Sequence, residues 1–146
     1  MRPVTTSVDI DRDATEVFAF VSEVANNPRW QRGMQSARWT SSPPLRIGST
    51  YEQSARFLGK EIVTTFEVVK LGPGRRMRFV STAGPFPLDI TRTVEPLPAG
   101  GARFTEHVAG DANGFYRVAT PVLRSMVRRN IRRDFRGLNG LLETSR

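Results

Sequence analysis

The sequence contains no cysteine, which removes disulfides, thiolate metal sites and cysteine nucleophiles and suits a reducing compartment. Histidine is almost as scarce. His107 is the only one, so every imidazole-based scheme must run through it. There is no phosphate loop, no dinucleotide-binding glycine motif and no serine in a nucleophile elbow. No stretch approaches the roughly 20 apolar residues of a membrane span. The N-terminal MRPVTTSVDI lacks the apolar run of a secretory signal, so the expected location is the cytoplasm.

Lysine is rare too: only Lys60 and Lys70 are lysines, and the other 20 of the 22 basic residues are arginines. The net charge of +8 makes nucleic acid or an anionic membrane worth weighing as a partner. An arginine-for-lysine bias also follows from GC-rich coding, and basicity alone names no partner. At 146 residues the chain has the length of one domain, 1–146, able to bury a core without staples.

Val4, Thr6, Val8 and Ile10 alternate with Thr5, Ser7, Asp9 and Asp11, the period of a half-buried strand. Asp13 and Glu16 then resemble a helix-capping pair. Ala14, Val17, Phe18, Val21 and Ala25 form one apolar helical face that Asn26, Asn27 and Pro28 should end. A short turn or helix is expected over 28–33, including Trp30. Candidate strands follow at 35–41, 49–58, 60–71, 75–83, 87–97 and 102–110, separated by Gly- and Pro-containing turns. Connections this short favour antiparallel neighbours. The last third reads as a long helix, with Thr120 and Pro121 as cap and first residue, or with an earlier start at Gly114 and a kink. Leu123, Met126, Val127, Ile131, Phe135, Leu138, Leu141 and Leu142 share its apolar face, opposite Arg128, Arg129, Arg132 and Arg136. Gly137 and Gly140 each weaken it by roughly 1 kcal/mol, so burial must hold its end.

Strand, helix, six-strand meander, long helix is an unusual order. Ile10, Ala14, Val17, Phe18, Val21, Pro28 and Trp30 carry a likeness through the first part. Gly48, Thr65-Phe66-Glu67-Val68 and Gly72-Pro73-Gly74-Arg75-Arg76 continue it, followed by Gly100-Gly101-Ala102-Arg103-Phe104-Thr105 and Leu138-Asn139-Gly140-Leu141-Leu142-Glu143. On these residues the chain resembles the START-related (SRPBCC) superfamily, in particular its polyketide cyclase/dehydrase-like bacterial members. The resemblance implies an α+β helix-grip fold. A curved seven-stranded antiparallel sheet would wrap around the C-terminal helix, with one or two short helices between strands 1 and 2 and an apolar cavity inside. It implies no cofactor and no metal, and no universal catalytic motif travels with the fold.

Strand parity supplies the expected cavity lining. Tyr51, Gln53, Ala55 and Phe57 should point inward from one strand, Ile62, Thr64, Phe66 and Val68 from the next, and Met77 and Phe79 from the third. Trp30, Ile90, Phe104, Met126 and Val127 join them as cavity candidates. Polar residues in apolar positions carry more information. Arg92 shares a face with Leu88, Ile90 and Val94, and Glu106 shares one with Ala102, Phe104 and Val108. If Val94 pairs with Phe104, Arg92 falls opposite Glu106. That pair is either a cross-strand bridge near a sheet edge or an inward ion pair able to orient a carboxylate, phenol or carbonyl. Asn130 and Asp134 interrupt the helix's apolar stripe and either anchor it or line the cavity. His107 should face outward, where it is a poor triad member.

Three functions compete. The first is binding, transport or sensing of a small hydrophobic or amphipathic molecule such as a lipid, polyketide or aromatic metabolite. The second is a polyketide aromatase/cyclase or dehydratase using Arg92, Glu106, Tyr51 or Asp134. The third is an interaction module built on Arg124, Arg128, Arg129, Arg132, Arg133 and Arg136, for RNA, an acidic protein or anionic lipid. No aromatic platform interleaves these arginines, as single-strand recognition requires. The oligomeric state is open between monomer and homodimer.

Overall fold

The computed structural model describes residues 4–31, 33–57, 59–85, 87–109 and 121–144, with the side chains of residues 57, 121–131 and 144 excepted. Strand β1 (Val4–Ile10) leads to helix α1 (Ala14–Ser22), a 3-10 turn (Val24–Asn26) and the short helix α2 (Asn27–Trp30). Strands β2 (Met34–Trp39), β3 (Thr50–Phe57), β4 (Lys60–Gly72), β5 (Arg76–Ala83), β6 (Asp89–Pro96) and β7 (Ala102–Ala109) follow, then helix α3 (Pro121–Thr144). The seven strands form one curled antiparallel sheet in the order β1-β7-β6-β5-β4-β3-β2. This is the helix-grip arrangement expected from the sequence.

The sheet's faces follow the period of two. Ile10, Tyr51, Phe66, Val68, Met77, Phe79, Val94, Ala102 and Phe104 are buried on one face. The other carries cross-strand ion pairs, Arg78–Asp89 at 2.6 Å and Arg103–Asp9 at 2.8 Å. Register shifts occur between Met34 and Ser36, between Thr65 and Phe66, and between Val68 and Lys70. Each inserts a residue and bends its strand, which is how a sheet this wide curls. The shift at Val69 also changes parity. Beyond it Leu71, not Lys70, packs against the core, opposite Met77.

One helix running through Ala25 was expected, and the structure corrects this. Helix α1 ends at Ser22 because Glu23 is extended, and its carboxylate accepts from Ala25 N to start a 3-10 turn. Pro28 opens α2 rather than closing a helix, since a proline in the first turn removes no needed donor. The described strand boundaries fall within two residues of those expected.

Helix α3 lies against β1 and α2, with Phe135, Leu138 and Leu142 buried and Arg132 and Arg136 exposed. Its C-terminal end is fastened to the β1–α1 corner. Arg12 Nη1 donates to Leu142 O at 2.8 Å, and Asp11 N donates to Glu143 Oε1 at 2.9 Å. A cation at the carbonyl end of a helix also suits its dipole.

At the β6–β7 turn Gly100 and Gly101 have φ of +96° and +82°. A Cβ on Gly101 would lie 2.7 Å from Ile10 O, whereas one on Gly100 would meet nothing within 4 Å. Both alanine variants should lose about 1–3 kcal/mol to backbone strain. Gly101→Ala should lose more, because the β1 backbone must also move. Thermal melts of the two variants isolate that collision, and equal losses would show that β1 yields freely.

Candidate functional site

The inner face of the sheet has two unlike ends. At one, α1 places Val17, Phe18 and Val21 over β6 and β7, and α2 places Trp30 beside Phe104 and Phe135. Tyr51, Phe66 and Phe79 pack as a cluster with ring centroids 5.0–5.5 Å apart. All three are buried, so these rings form a closed floor by filling space against one another. At the other end Gln53, Ala55, Ile62, Leu88, Ile90 and Val108 share the inner face but remain partly accessible. Thr64, paired with Gln53, adds a buried hydroxyl.

Val94 pairs with Phe104 and Arg92 with Glu106, the register expected from the hairpin. Neither β6 nor β7 is an edge strand, and the two side chains are 3% and 8% accessible. The pair is therefore inward and buried. Arg92 Nε donates to Glu106 Oε2 at 2.8 Å, and its Nη1 donates to Val21 O at 3.0 Å and Asn27 Oδ1 at 2.9 Å. The guanidinium also sits over Trp30 at 5.2 Å and Phe79 at 5.4 Å, a favourable arrangement for a cation between ring faces. One arginine thus joins β7, the end of α1, the start of α2 and the aromatic floor.

Three polar groups near this pair are buried without a partner among the described residues: Asn27 Nδ2, Trp30 Nε1 and Tyr51 OH. Asn27 Oδ1 is already occupied by Arg92, so what remains is a surplus of donors. Burial pushes the Tyr51 phenol far above its ordinary range, with the charge of Arg92 opposing and that of Glu106 adding. Tyr51 therefore keeps its proton and acts as a donor.

Of the residues singled out from the sequence, Trp30, Tyr51, Phe66, Met77, Phe79, Arg92, Phe104 and Glu106 come together in this closed region. Gln53, Thr64 and Ile90 lie toward the accessible end. Phe57 ends β3, and its side chain, like those of Met126, Val127 and Asn130, lies outside the described residues. Asp134 is half-buried, with an oxygen 3.9 Å from Arg133 Nε on its own helix. His107 faces outward, its Nδ1 2.7 Å from Thr5 Oγ1. Two participants were missed. Asn27 looked like a helix stop, and nothing local in the sequence announces a buried asparagine. Glu23, which holds Trp39 Nε1 at 2.6 Å, is sixteen residues away in sequence.

Among the described residues no group of three or more His, Asp or Glu side chains is placed to hold a metal. No described helix is long and apolar enough to cross a membrane.

The fold has close structural likenesses. A START superfamily protein from Mycobacterium smegmatis superposes with a TM-score of 0.79 at 13% identity, covering 97% of each chain. The aromatase/cyclase Zhui from Streptomyces sp. R1128 gives 0.72 at 16% identity, covering 97% of this chain and 93% of that one. The major latex-like protein 151 of Panax ginseng gives 0.73 at 12% identity, covering 97% of each. At these identities the likeness establishes the fold alone. No curated protein matches the sequence. Over residues 1–143 it matches the family described as polyketide cyclase / dehydrase and lipid transport, and the chain belongs to that family.

Proposed function

We propose that the protein binds a small hydrophobic or amphipathic molecule between the inner face of its sheet and α3. Family membership supports a hydrophobic ligand or a cyclase-type reaction as a class. The observation carrying the binding reading is the partly accessible apolar surface of Ala55, Ile62, Leu88, Ile90 and Val108 beyond a closed aromatic floor. Hydrophobic surface left open in a concavity is what an apolar ligand body would cover.

The polar end of such a ligand would be an uncharged hydrogen-bond acceptor. The charges of Arg92 and Glu106 cancel in direct contact, so a carboxylate or an amine would leave a net buried charge. Asn27 Nδ2, Trp30 Nε1 and Tyr51 OH, the groups beside the pair with no partner among the described residues, can all donate. A ketone, ester or amide carbonyl meets both conditions, entering where Phe79 now packs against both Tyr51 and Arg92. Native mass spectrometry of the purified chain should reveal a retained molecule of this chemistry. Tyr51→Phe should weaken its binding about tenfold while stabilising the ligand-free protein by about 1 kcal/mol, because an unsatisfied hydroxyl is removed. A protein that retains nothing and binds no aromatic ketone or ester overturns the reading.

A cyclase or dehydratase is the second reading. The same donors would polarise a carbonyl, and turnover of a polyketide mimic distinguishes it from binding alone. The basic face of α3 ranks third. Of its described members, Arg132 and Arg136 are exposed and Arg133 is half-buried, and solvation alone accounts for the exposed pair.

A further inference from the structure

A groove of about 480 Å³ lies between α1 and the β2–β3 loop. Trp39 forms its inner wall and packs edge-on against the buried Tyr51 at 5.6 Å, a contact that separates the groove from the sheet's inner face. Pro43, Pro44 and Leu45 make an apolar side. Among the described residues Glu23 is the one charged group lining it, in a chain of net charge +8. Glu23 Oε1 accepts from both Trp39 Nε1 at 2.6 Å and Ala25 N at 3.1 Å, so the carboxylate is held still while Oε2 enters neither bond. Among the described residues no ion pair includes Glu23. The neighbouring hydroxyls of Ser41 and Ser49 accept from the backbone, from Thr50 N and Arg46 N.

We propose that this groove is a second binding site, for a small organic cation consisting of an ammonium group on an aromatic or alkyl body. Capping the 3-10 turn and orienting the indole account for Oε1, but not for an apolar groove whose wall carries an exposed carboxylate with no ion pair among the described residues. An ammonium forms a charge-assisted hydrogen bond to Oε2, stronger than a neutral donor would make. The Trp39 ring favours the same charge, tryptophan being the best aromatic partner for a cation. The body of the ligand covers Pro43, Pro44 and Leu45. An anion is repelled, and a neutral analogue gives Oε2 no counter-charge.

The test titrates the purified chain with phenethylamine, phenethyl alcohol and phenylacetate while NMR follows the two indole N–H signals. Phenethylamine should move the Trp39 signal and leave that of Trp30 in place. It should bind at least about tenfold more tightly than the alcohol, and phenylacetate should cause no shift. Glu23→Gln keeps an oxygen that can accept from Trp39 and Ala25, so the fold should hold while amine affinity falls to that of the alcohol. The proposal is overturned by equal affinity for amine and alcohol, by amine binding that survives Glu23→Gln, or by a Trp39 signal unmoved at millimolar amine. A shift at Trp30 instead would place the probe inside the sheet and overturn it equally.

Discussion

Replacing Arg92 with methionine should cost about 4 kcal/mol of stability, because it leaves the Glu106 carboxylate buried without its partner. The same change orphans Val21 O and Asn27 Oδ1, both of which accept from Arg92 Nη1. Glu106→Leu should be damaging for the converse reason, stranding a guanidinium between two rings. The double variant Arg92→Met/Glu106→Leu should be more stable than either single one, since no unpaired charge remains and apolar side chains fill the volume. It should not reach the parent, because the α1 and α2 acceptors stay unpaired. Denaturant unfolding of the four proteins measures the coupling. If the double variant is no more stable than the worse single one, the ion pair is not what holds this region. The ligand readout is separate. Affinity that is intact in Arg92→Met would show that the guanidinium organises the helices and takes no part in recognition.

Much of this was legible from residue spacing. Alternation along residues 60–71 put Thr64, Phe66 and Val68 on the inner side, and all three are buried. The Arg92–Glu106 register could be read because the β6–β7 turn is short and glycine-rich, leaving the hairpin little freedom to slip. The break in α1 was not legible. It depends on Glu23, whose carboxylate meets an indole from β2, a contact between elements that no local pattern encodes. Leu71 was hidden by a bulge, which resets parity without changing composition. The division of the aromatic residues into packed floor and accessible lining was equally hidden. Tyr51 and Gln53 lie two residues apart on the same face, yet one is sealed and the other half-open, because the rings of Trp39, Phe66 and Phe79 from three other strands close over Tyr51.

The grip of sheet on helix should fail most sharply at Phe104. This ring has no accessible surface, stacks on Phe135 of α3 at 5.2 Å, and meets Trp30 of α2 edge-on at 6.0 Å. It therefore ties β7 to both helices at once. Phe104→Ala removes most of a large buried side chain, and two rings anchored on different elements cannot collapse together into the space. A loss of about 4 kcal/mol is expected, the middle of the range for such truncations. For a chain of this length that lowers the melting temperature by about 10 °C. Phe104→Leu, which retains much of the volume, should lose less than half as much. The informative readout is hydrogen exchange. In Phe104→Ala the amides of α3 around Phe135 and Leu138 should lose protection before those of β3 and β4, whose packing rests on Tyr51 and Phe66 instead. Uniform loss across the sheet would mean that helix and sheet unfold as one unit and that Phe104 is ordinary core. Selective loss would show that α3 can release from the sheet while the aromatic floor stays in place.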